Sequence, residues 1–174
     1  MGNSIFDYVM QLEMLAFFSG YPLVYFLARF LARNISLKNS ARPDLVSILP
    51  FAYALVGTLY LGLQLKNLYP DYTIANIKLR IQLPYLFIWA LLSILFWIPA
   101  ISKRPVLSLL HSLVFFFIII KDLFFQLTGA TGDRSIVRND MSIYSVSILL
   151  NMAALILLLL LSYLYRFRKK YDKL

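Results

Sequence analysis

The chain is predicted to fold as an all-α bundle of about five transmembrane helices, an integral membrane protein. Two observations carry that prediction. Hydrophobic residues make up 61% of the sequence and charged residues only 14%, where a soluble domain of this size carries about 25% charged residues. The apolar residues also gather into five long stretches separated by short polar joints. In hydrocarbon every backbone amide needs an internal partner, so such stretches become helices. At about 20 residues per span, five spans and their joints use nearly all of the 174 residues. We read residues 1–174 as a single transmembrane domain with no room for a separate soluble one.

The spans fall at about 9–31, 44–65, 83–101, 105–127 and 142–165. The start of the chain does not read as a secretory signal, because Asp7 and Glu13 come before the first basic residue, Arg29. Pro43 and Pro105 suit the first turns of spans two and four, where a missing N–H costs nothing. Asn139 or Asp140 would cap span five. The joint Ser102-Lys103-Arg104 is so short that spans three and four must form an antiparallel hairpin. Pro22 and Pro50 lie inside spans one and two and should kink them. Between spans two and three, residues 66–82 carry Ile74, Ile77 and Ile81 on one helical face. An interfacial helix is expected there, because an isolated strand would leave its edges unpaired.

Five spans place the termini on opposite sides. With the C-terminus inside, the inner side holds eleven basic residues against two acids, a balance of +9. The outer side then holds six of each, a balance of zero. The positive-inside bias therefore predicts the N-terminus outside and the C-terminus cytoplasmic. Topogenic lysines and arginines account for the whole net charge, and no nucleic-acid partner is inferred from it. The run Arg166-Phe-Arg-Lys-Lys is positioned to meet anionic head groups.

Span one carries Ala16, Gly20, Val24, Ala28 and Ala32 at four-residue spacing. Small residues at that spacing let helices approach closely in lipid. The stripe packs either against another span of the same chain or against a partner. Tyr53, Gly57, Tyr60 and Gln64 share one face of span two. Tyr144, Ser147, Asn151 and Ala154 share one face of span five. Asn151 is the deepest carboxamide, and structural helix-to-helix bonding competes there with substrate binding.

Four ionisable groups are costly where they sit: Glu13, His111, Lys121 and Asp122. A charge at the bilayer centre costs about 2.5–3.5 kcal/mol on insertion scales and less toward the edges. Such groups are functional candidates, unless Glu13 and Asp122 reach the outer water and Lys121 snorkels to it. Glu13 and Lys121 have matching depths and are expected to pair, directly or through water. His111 and Asp122 share one face of span four about 16 Å apart.

Cysteine is absent and histidine single, which excludes disulfides, thiolate metal sites and a bis-histidine haem. No phosphate-binding loop, catalytic triad or metal-ligand spacing stands out, so no cofactor or metal is expected. The expected function is a non-enzymatic membrane subunit or scaffold that packs against other membrane proteins or itself. The alternative is a small oligomeric transporter or channel using the four ionisable groups. A lipid-directed enzyme has little beyond His111 behind it.

Overall fold

A computed structural model describes residues 13–35, 45–70, 72–73, 84–128 and 134–171. The described residues are almost entirely helical and include no strand. Helix α1 spans Glu13–Asn34 and is regular over Tyr21–Ile35. Helix α2 is Leu45–Leu68, and α3 is Pro84–Leu91, followed by a 3-10 segment Leu92–Trp97. A single turn, α4 at Pro99–Ser102, leads into α5 at Pro105–Thr128 and α6 at Arg134–Tyr171.

Among the described residues, four helices are long and apolar enough to cross a membrane: Glu13–Asn34, Leu45–Leu68, Pro105–Phe125 and Asn139–Tyr165. The fifth apolar stretch, Pro84–Trp97, is shorter. The protein is a helical membrane bundle whose third element departs from the expected continuous span over 83–101. Two local causes explain the departure. Ser93 Oγ donates to the Ala90 carbonyl at 2.6 Å, and such short back-bonds compete with the helical ladder. Pro99 then forces its predecessor toward extended backbone, and Ile98 has φ −74° and ψ 121°. With the tighter 3-10 rise included, Pro84–Trp97 is about 24 Å long, against a hydrocarbon core of about 30 Å.

Neighbouring elements run antiparallel. Glu13 meets Gln64 and Phe17 meets Tyr60, so α1 descends as α2 ascends. Phe87 lies on Tyr60 and Trp97 on Phe51, so the α3 stretch runs back along α2. Trp89 reaches His111 across the short joint, which makes the expected hairpin with α5. Phe116 contacts Tyr144, so α6 returns along α5.

The centre of the bundle is aromatic. Phe18 stacks on Phe115 at 4.9 Å and meets Tyr53 and Tyr60 edge-on. Tyr21 lies 4.4 Å from Tyr53. Such pairs add about 0.5–1.5 kcal/mol each beyond area burial. In lipid, where apolar burial drives little association, these contacts matter more than their number suggests.

Three expectations about helix starts and kinks are refined. The helix α6 begins at Arg134, so Asn139 and Asp140 lie inside it rather than at its cap. The apolar window had hidden a more polar first turn and a half. Pro105 does open α5, whereas Pro43 lies outside the described residues. Pro50 sits in the second turn of α2, which continues through it. Most of 66–82 also lies outside the described residues, including Ile74, Ile77 and Ile81 of the expected interfacial helix.

Candidate functional site

The most densely bonded polar feature is the interruption of α1. Helix geometry runs through Phe18, gives way at Ser19–Gly20, and resumes at Tyr21. Pro22 is the cause: it has no N–H for the Phe18 carbonyl, and its ring crowds that carbonyl. The Gly20 amide donates instead to Ser147 Oγ of α6 at 2.8 Å. Asn151, one turn further along α6, donates to the Phe17 carbonyl at 2.8 Å and to the Ser147 carbonyl at 2.8 Å. Side chains of the last helix thus satisfy backbone groups released in the first, which is how broken helices persist in membranes.

Gly20 also permits the approach. A Cβ placed there would lie 2.6 Å from the Ser147 carbonyl carbon and 2.8 Å from the Ile148 Cα. Those are backbone atoms, so no side chain can yield. Of the small-residue stripe, Gly20, Val24 and Ala28 are buried, while Ala16 and Ala32 are half-buried. The structure therefore brings Gly20 of the stripe against α6 of the same chain and buries Val24 and Ala28 within the bundle.

One prediction follows from the break. Asn151→Leu should cost about 1–3 kcal/mol, the usual result of stranding buried hydrogen-bonding groups. Pro22→Ala lets the helix close through Ser19–Gly20, where the Tyr21 N–H would take the Phe17 carbonyl, and should shrink that cost in the double variant. Thermal unfolding in detergent measures both, and additive losses would show that the two residues are uncoupled.

His111 occupies the second polar locus and is only 8% exposed. Its Nε2 lies 2.8 Å from the Trp89 carbonyl, which can only accept, so Nε2 carries a proton. Its Nδ1 lies 2.7 Å from the Tyr53 hydroxyl, which donates to it when the ring is neutral. The Trp89 indole N–H donates back to the His111 carbonyl at 3.1 Å. The two rings stack 4.7 Å apart and 4° from parallel. This reciprocal clasp holds the short α3 to α5. Trp97 does the same for the 3-10 segment, donating to Thr58 Oγ1 of α2 at 2.9 Å. Close by, Ser108 donates to the Pro105 carbonyl and accepts from the Tyr21 hydroxyl at 2.7 Å. The sequence reading missed the clasp because Trp89 and His111 are 22 residues apart on different elements.

The expected direct ion pair between Glu13 and Lys121 does not form. Gln64 Nε2 of α2 donates to Glu13 at 3.1 Å. Lys121 Nζ lies 3.9 Å from Asp122, its own neighbour on α5, with the lysine side chain 65% exposed and the aspartate 27%. Matched depth was insufficient: Glu13 faces α2, whereas Lys121 leaves the bundle surface. His111 is buried and Asp122 half-buried on the same helix. Among the described residues, no group of three or more His, Asp and Glu side chains is placed to hold a metal ion.

Comparison with protein-family models, with curated proteins and with solved structures gave no match.

Proposed function

We propose that this protein is a non-enzymatic membrane subunit or scaffold that packs against other membrane proteins or a second copy of itself. The observation that carries this reading is the use of its buried polar side chains. His111, Ser147, Asn151 and Tyr21 all serve helix-to-helix bonds. Polar groups arranged this way hold helices together. The outward faces of α5 and α6 are broad and apolar, with Phe117, Phe124, Leu149 and Leu160 exposed. In a membrane such a surface suits lipid and partner helices alike.

Photo-reactive residues at Phe117, Phe124, Leu149 and Leu160 test the proposal in native membranes. A discrete protein adduct from adjacent positions on one face is expected. Adducts with lipid alone at every position would overturn the subunit reading. Ion flux in liposomes that is lost in Glu13→Gln would favour a transporter.

We further propose that the N-terminus faces outward and the C-terminus the cytoplasm. The charge balance of +9 against zero supports this orientation. A reporter fused after Leu174 should be active only in the cytoplasm. Activity on the far side would reverse the assignment.

A further inference from the structure

We propose that the Glu13 end of the α1–α2 contact binds a primary ammonium group. Glu13 lies on α1 one turn before Phe17, facing α2. Its carboxylate receives a single side-chain hydrogen bond, from Gln64 Nε2. Among the described residues no basic side chain forms an ion pair with it. A half-buried carboxylate with no basic partner among the described residues is costly in or near hydrocarbon.

The second observation is independent. Tyr60 is fully buried, and its hydroxyl has no hydrogen-bond partner. It lies one turn from Gln64 on the same face of α2. Its ring packs against Phe17, itself one turn from Glu13 on α1.

The available groups match one ligand chemistry. The second Glu13 oxygen, the Tyr60 phenol oxygen and Gln64 Oε1 are all acceptors. A primary ammonium carries three N–H donors and a positive charge. Phe17 and Phe87 flank Tyr60 and add aromatic surface that favours an organic cation. A hard divalent ion would require six or more oxygens and more than one carboxylate, which this locus does not offer. The ammonium can come from a phosphatidylethanolamine head group or from a free amine.

The test uses the full chain in nanodiscs of phosphatidylglycerol, with thermal unfolding as the readout. One arm titrates ethylamine, with sodium chloride as the ionic-strength control. A second arm replaces part of the lipid with phosphatidylethanolamine, and a third with phosphatidylcholine, whose head group has no N–H. Saturable stabilisation by ethylamine or phosphatidylethanolamine, absent with phosphatidylcholine, is expected. A response to phosphatidylethanolamine alone identifies the lipid as the source, and one to ethylamine alone identifies a free amine.

Glu13→Gln should weaken the apparent affinity about tenfold or more, as loss of a charge-assisted contact implies. Tyr60→Phe removes only a hydroxyl that no neighbour uses. It should fold as well as the parent and still bind several-fold more weakly. The absence of a saturable response in every arm would overturn the proposal. An undiminished response in Tyr60→Phe, or in a folded Glu13→Gln, would do the same.

Discussion

Gly20→Leu should abolish the native assembly of α1 on α6. Even Gly20→Ala should cost about 1–3 kcal/mol, the range for overpacking a tight site. The reason is the identity of the atoms that a new Cβ meets: the backbone of Ser147 and Ile148, not a movable side-chain tip. Separating the helices to make room would also stretch the Gly20 amide bond to Ser147 and the Asn151 bond to Phe17. Both freed groups would then lie in a water-poor interior. Gly62 supplies the control, because nothing lies within 4 Å of a Cβ placed there. Gly62→Ala should be neutral or stabilise by roughly 0.5–1 kcal/mol through helix propensity. Thermal unfolding and size-exclusion profiles in mild detergent read the contrast. If the variants at Gly20 and Gly62 behave alike, the close approach is not a determinant of stability.

His111→Phe should be the next most damaging change. Phenylalanine keeps a ring to stack on Trp89 but strips both nitrogens. The Tyr53 hydroxyl and the Trp89 carbonyl lose their partners together. Each stranded group costs about 1–3 kcal/mol in a protein interior, although interhelical bonds within membranes average nearer 0.6 kcal/mol. A total of about 2 kcal/mol is expected on those figures. Adding Tyr53→Phe should recover part of the loss, because no hydroxyl is then left unpaired. Tryptophan emission gives a second readout, since the chain has only two tryptophans and Trp89 lies directly on the histidine ring. Unchanged emission together with additive stability losses would refute the clasp.

Composition and hydropathy alone were enough for the class and for the number of apolar stretches. Length and hydropathy suffice for this because hydrocarbon admits no unpaired backbone. Pro22 and Pro105 act through their own covalent geometry, so their effects were legible too. Pro99 acts in the same way, and with the Ser93 back-bond it ends the helix that hydropathy alone extends over 83–101. The faces Tyr53–Gly57–Tyr60–Gln64 and Ser147–Asn151–Ala154 could be drawn from helical periodicity alone. What those faces meet depends on the packing of the folded bundle. Periodicity shows which residues share a side of a helix, but not which neighbour lies opposite or at what height. Gln64 rather than Lys121 meets Glu13 because α2 lies against α1 there and the lysine points away from the bundle. Ser147 and Asn151 repair the break at Gly20 although 127 residues separate the first bonded pair. Trp89 and His111 join through backbone carbonyls as well as rings, and no side-chain pattern encodes a carbonyl's direction. Hydrophobicity is summed along the chain, whereas a hydrogen bond needs two particular atoms within about 3 Å, and only folding brings them there.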